Sequence, residues 1–153
     1  MQVIFIGPAG SGKSALTSAF SLWLTQHMEV KVGCINLDPG CTYLPFSPEF
    51  DVREMFTVME IMEEEKLGPN GAMIKAMELM EERVEELAAR IAEVKADILL
   101  IDTPGQMEVF VFRAAGPRVA EALKRSGRPV AVYVLDLSLA VNATGLAVAA
   151  SLM

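Results

Sequence analysis

The sequence predicts an α/β protein of three layers, a mainly parallel sheet held between helices. Three observations carry this. Short aliphatic and β-branched runs recur at 2–6, 30–37, 97–101 and 129–135, helical patterns separate them, and the motifs with chemical character fall at the ends of the runs. Nearly continuous apolar runs suit strands covered on both faces, and their alternation with helices gives parallel order with ligands at the strands' carboxyl ends. With 153 residues, 52% hydrophobic and 22% charged, the chain is sized for one domain with a substantial core.

The first run leads directly into Gly7-Pro8-Ala9-Gly10-Ser11-Gly12-Lys13-Ser14, a complete G-x-x-x-x-G-K-S phosphate loop. In a strand, loop, helix setting the glycines let backbone N–H groups turn inward around a polyphosphate. Lys13 adds a point charge at the β- and γ-phosphates, and Ser14 offers a hydroxyl to magnesium. The predicted nucleotide-binding set is therefore Gly7, Pro8, Ala9, Gly10, Ser11, Gly12, Lys13, Ser14 and Ala15. A helix follows from Gly12 or Lys13 to about His27, with Leu16, Phe20, Leu22, Trp23 and Leu24 on its buried side and His27 at its polar end. Trp23 is read as core.

The segment from Asp38 to Pro48 carries three prolines and a glycine and is read as an extended loop. A helix is expected to start near Asp51, capped by its carboxylate, with Glu54 three residues on as in a capping box. From Gly71 to Lys95 one long helix is expected. Met73, Met77, Met80, Val84, Leu87, Ile91 and Val94 form an a/d seam, read as lying on the sheet or a neighbouring helix in preference to a coiled-coil dimer seam. Glu60, Glu63, Glu64, Glu65, Glu81, Glu82, Glu85 and Glu86 are read as a solvated face.

A net charge of −7 opposes direct nucleic-acid binding, which needs a basic stripe, and favours a protein partner. Cys34 and Cys41 fit no zinc spacing and are read as free thiols of a reducing, cytoplasmic protein. The short run before the phosphate loop lacks the basic region and length of a signal peptide. The apolar stretch 129–153 is interrupted by Asp136, Asn142 and Thr144, which argues against a membrane span; Asn142-Ala143-Thr144 is a sequon without meaning unless the chain is secreted.

The third run ends in Asp102-Thr103-Pro104-Gly105-Gln106. A strand thus delivers an aspartate to the sheet edge and a glycine follows three residues later, a pattern that looks like the magnesium and γ-phosphate sensor of GTPases. Asp102 is placed to serve magnesium and the Gly105 N–H to bond the γ-phosphate. Hydrolysis also needs an aligned water. Gln106, Asp38 and Glu108 are the residues on offer, although Asp38 equally fits a cap on its own Asp-Pro-Gly turn. Gly68-Pro69-Asn70-Gly71, taken alone, reads as a tight turn with Asn70 or Gly71 at positive φ.

Taken in order, the phosphate loop, Asn36-Leu37-Asp38-Pro39, Asp51-Val52-Arg53-Glu54, Gly68-Pro69-Asn70 and Asp102-Thr103-Pro104-Gly105-Gln106-Met107-Glu108 resemble the GPN-loop GTPases over almost the whole sequence. The resemblance implies a single phosphate-loop NTPase domain over 1–153, with a helical insertion over about 51–95. It implies a GTP-hydrolysing, magnesium-dependent switch that works as a homodimer or a heterodimer with a paralogue. Asn70 would act in trans beside Lys13, Asp38, Asp102 and Gln106, with Ser14 and Asp102 serving the metal; Arg53 belongs to the pattern without an assigned role. It also implies GTP and GDP as ligands, a protein client of the RNA polymerase assembly kind, and no membrane. Against the family pattern, Asn-Lys-x-Asp, the guanine-recognition element of a later strand, does not occur in these residues. The family's C-terminal strands are accordingly expected to be missing, with an open sheet edge beside the fourth run. Two other readings stay open, an ATP-using ATPase or kinase and a low-turnover nucleotide-binding assembly factor.

Overall fold

A computed structural model describes residues 1–135. The readings made on Asp136, Asn142, Thr144 and the rest of 136–153 lie outside the described residues. Five parallel strands, β1 (Gln2–Ile6), β2 (Val32–Asn36), β3 (Phe50–Asp51), β4 (Ile98–Asp102) and β5 (Pro129–Tyr133), form one sheet in the order β3-β2-β4-β1-β5. Its helices are α1 (Lys13–His27), α2 (Val58–Glu65), α3 (Pro69–Glu82), α4 (Val84–Glu93), α5 (Met107–Val111) and α6 (Ala115–Ser126).

The apolar residues of the strands alternate between two cores. Val3, Phe5, Cys34, Ile98 and Leu100 pack with Leu24 of α1, whereas Ile4, Ile35, Leu99 and Ile101 pack against helices of the other face. On that second face the a/d residues Met73, Met77, Met80, Val84, Leu87 and Ile91 are buried, so the seam lies in the core as expected. Burial of each such side chain contributes on the order of 1.5–3 kcal/mol. Among the described residues β5 forms one edge of the sheet, pairing only with β1.

Four sequence expectations need correction. Trp23 is not core: it is 49% exposed, stacked between Phe20 and His27, and Leu16 and Leu22 are exposed too, because the inward side of α1 carries Lys13, Thr17 and Leu24. The 71–95 helix is two helices, broken at Arg83 (φ −102, ψ 19), whose guanidinium reaches the Met55 carbonyl at 3.2 Å. Asp51 caps only the short 3₁₀ turn Val52–Glu54. The capping box belongs instead to α2, where Thr57 and Glu60 exchange side-chain to backbone bonds. Finally, Gly68-Pro69-Asn70-Gly71 is a helix start, with Gly68 as cap and Pro69 first in α3. The positive φ falls upstream at Lys66.

Candidate functional site

The phosphate loop leaves the end of β1 with left-handed φ at Gly7 (154°), Gly10 (77°) and Gly12 (93°), conformations that glycine adopts without steric cost. A Cβ on Gly7 would overlap the Val134 carbonyl. Lys13 then opens α1, and Thr17 Oγ1 bonds the Lys13 carbonyl one turn on, at 2.9 Å. Lys13 as a whole is 6% exposed, and its ammonium donates to Pro8 O at 3.0 Å. Burial pushes its pKa down, opposed by the nearby Asp102 and Asp38 carboxylates.

At the end of β4, Asp102 is 1% exposed and its Oδ1 has no hydrogen-bond partner. Burial raises its pKa, opposed by the Ser14 hydroxyl and the Lys13 ammonium. A buried carboxylate oxygen without a partner, next to a serine hydroxyl, is the oxygen donor set that suits magnesium. Ser11 Oγ is likewise buried and unpartnered. Thr103 Oγ1 donates to Phe5 O at 2.7 Å and stitches this loop to β1. Gly105 lies against the phosphate loop: a Cβ there would stand 3.2 Å from Ala9 Cα.

Asp38, on the loop after β2, makes the turn bond considered for it and a second bond to the loop after β4. Its Oδ1 accepts from Gly40 N at 2.9 Å, the Asp-Pro-Gly turn bond, and its Oδ2 accepts from Gly105 N at 3.3 Å. Where the three loops meet there is a cleft of about 300 Å³, lined by Ala9, Gly10, Lys13, Ser14, Asp38 and Gly105 among others. Gly12 and Ala15 also face it, while Gly7, Pro8, Ser11 and Asp102 do not line it. Gln106 caps α5 next to Gly105 without lining the cleft, and Glu108 is exposed in the first turn of α5. Asn70 is exposed on the first turn of α3, and no residue of 68–71 reaches the cleft. Thr103 lines it and was assigned no role from sequence; its place between Asp102 and Gly105 was the available signal.

A larger groove of about 580 Å³ lies at the other end of β2, among Lys31, Glu49, Arg90 and Glu93. It gathers charges of both signs and, of the motif residues, Glu54 alone. Among the described residues no three His, Cys, Asp or Glu side chains cluster for a metal ion, and Cys34 and Cys41 are both free. No helix among them is long and apolar enough to cross a membrane.

Sheet order, a glycine loop opening α1 and a buried strand-end aspartate define a phosphate-loop NTPase fold. The model of the family described as "Conserved hypothetical ATP binding protein" matches residues 5–152, and the chain belongs to that family. Its curated relatives are named GPN-loop GTPases. GPN-loop GTPase PAB0955 of Pyrococcus abyssi is 44% identical over 138 residues, 89% of this chain and 53% of the relative. GPN-loop GTPase 1 of Dictyostelium discoideum is 32% identical over 146 residues, 94% of this chain and 37% of the relative. The crystal structure of the Pyrococcus abyssi protein, a GTPase in apo form, matches with a TM-score of 0.86 at 41% identity, covering 97% of this chain and 58% of that one. The chain thus spans about half or less of the curated relatives it matches.

Proposed function

We propose that the chain binds and hydrolyses a nucleoside triphosphate, GTP in preference to ATP, with magnesium, as the nucleotide-switched half of a cytoplasmic dimer. The observation that carries this reading is the convergence of Lys13, Ser14, Asp38 and Gly105 on one cleft, with Asp102 buried at the end of β4. Ser14 and Asp102 would hold the metal; bound there, magnesium neutralises charge on the β- and γ-phosphate oxygens.

The chain's own residues do the rest. Backbone N–H groups of the loop from Gly7 to Gly12 and the Lys13 ammonium bind the phosphates. The γ-phosphate takes the Gly105 N–H, and this frees Asp38 Oδ2 to orient the attacking water, with Gln106 beside it. Asn70, exposed and away from its own cleft, acts on the cleft of a second subunit. The dimer's client is a protein of the RNA polymerase assembly kind, the class that suits an acidic chain.

ATP is the second reading, favoured by the family's description as ATP binding. One experiment addresses both: phosphate release from GTP and from ATP by the parent and by Lys13→Ala. Release from GTP that ATP does not compete away, and that is lost in Lys13→Ala, supports the proposal. Equal release by the two proteins rejects the site; preferential release from ATP rejects the base.

A further inference from the structure

Arg53 and Asn36 stand outside the cleft, yet they join into one continuous set of bonds that ends on Asp38. Asn36, at the end of β2, is fully buried. Its Oδ1 accepts from Asp38 N at 3.0 Å, and its Nδ2 donates to Asp38 O at 3.2 Å. The amide therefore brackets the Asp38 peptide from both sides. The same Nδ2 donates to Asp51 Oδ1 at 2.9 Å, at the end of the neighbouring strand β3.

Asp51 is in turn held by Arg53. The guanidinium meets the carboxylate through Nε at 3.0 Å to each oxygen and through Nη2 at 2.6 Å, and Arg53 N adds a further bond at 2.9 Å. Arg53 Nη1 then donates to Cys41 O at 3.1 Å, on the far side of the Asp-Pro-Gly turn. Arg53 thus grips the Asp38 loop directly at Cys41, and through Asp51 and Asn36 it grips the Asp38 backbone. A planar fork fixed by two partners has little freedom, which is what a positioning element requires.

We propose that Arg53 is a positioning residue that sets the Asp38 carboxylate against Gly105 through Asp51 and Asn36. This rests on the reading of Asp38 as the residue that orients water. Arg53 touches neither phosphate nor water in it; its effect passes through the Asp38 loop. Loss of the fork leaves Asp51 with the Asn36 amide and the backbone N–H of residue 53 as its only partners and removes the tie to Cys41 O, so the amide is free to re-pair and the Asp38 backbone loses its bracket.

The test uses the ¹⁵N-labelled 153-residue chain and the amide resonance of Gly105, which reports the Asp38 contact without requiring turnover. Asp38→Ala is expected to shift that resonance, and Arg53→Met to shift it in the same direction with GDP affinity kept within about twofold. In turnover, Arg53→Met is expected to lower kcat roughly 10- to 100-fold, the effect of a misplaced group, with KM little changed. Asp38→Ala/Arg53→Met is expected to be no slower than Asp38→Ala alone. If Asp38→Ala leaves Gly105 unmoved, the reading of Asp38 fails. If Asp38→Ala moves it and Arg53→Met, still folded by its thermal transition, does not, the positioning role alone is overturned; additive losses in the double variant overturn it as well. Arg53→Lys, which keeps the charge without the fork, is expected to follow Arg53→Met, and parent-like behaviour of Arg53→Lys would reduce the role to charge.

Discussion

Gly105 donates its backbone N–H to Asp38 Oδ2 at 3.3 Å, joining the loops after β4 and β2 across 67 residues of sequence. The donor expected to meet a γ-phosphate is thus already paired with the carboxylate expected to meet the water. Asp38→Ala removes both the carboxylate and this pairing. It is expected to lower kcat by about 10²-fold or more, the usual size of a lost base or positioning group, while triphosphate affinity stays level or improves. Steady-state phosphate release together with fluorescent-nucleotide titration checks this; a weaker affinity with unchanged kcat would argue against it.

The phosphate-loop glycines differ in what a side chain would meet. Gly12→Ala meets open space and bears only the φ of 93°, an expected cost of about 1–2 kcal/mol. Gly7→Ala adds an overlap with the Val134 carbonyl and is expected to cost more, about 3 kcal/mol. Urea midpoints at unchanged m-value give the order of the two. Equal midpoints would mean that the β5 end yields to the added methyl.

Acid stability follows from Asp51. Burial favours its neutral form, but the Arg53 fork, the Arg53 N–H and the Asn36 amide outweigh this and hold its carboxyl below the usual carboxylate range. A carboxyl with a lowered folded-state pKa contributes stability that is fully present above the unfolded value of about 3.9 and is lost as pH falls through the folded value. Unfolding free energy measured from pH 6 downward is expected to drop below about pH 4 in the parent and to drop less in Arg53→Met. Parallel curves for the two proteins would disconnect Arg53 from the titration of Asp51.

Asn70 is exposed and away from its own cleft, so Asn70→Ala is expected to change stability by no more than about 0.5 kcal/mol. Its activity is expected to fall, and under the proposed trans role an equimolar mixture with Lys13→Ala is expected to recover part of it, because a mixed dimer would keep one intact loop facing one intact Asn70. Activity of the mixture equal to the sum of its components would place Asn70 outside any partner's site.

How much of this was legible in the sequence depended on the range of each interaction. The strands were found to within two residues at most ends, because burial on both faces writes a local apolar run. The phosphate loop and Asp102 were legible for a similar reason, since each motif is contiguous. β3 escaped notice because it is two residues long and is paired through Ile35↔Phe50 and Asn36↔Asp51. The break at Arg83 left no trace in periodicity, since the spacing from Met80 to Val84 continues the seam; it comes with a contact to Met55, 28 residues away. Trp23 shows the limit of helical periodicity, which tells which residues share a side but not which side the sheet takes. Gly68-Pro69-Asn70 was readable as a helix start, with proline first, had that signal been set above the turn propensities. The Gly105 to Asp38 bond and the joins from Asn36 to Asp51 and from Arg53 to Cys41 had no local signature.

The most direct test of the central claim, that the three-loop cleft is a triphosphate site, is calorimetric titration of the chain and of Lys13→Ala with magnesium and a non-hydrolysable GTP analogue. The parent is expected to bind one analogue per chain, and Lys13→Ala to bind about 10- to 100-fold more weakly, as loss of a charged donor to a phosphate implies. Equal affinity for the two proteins, or no binding by a folded parent, would contradict the account.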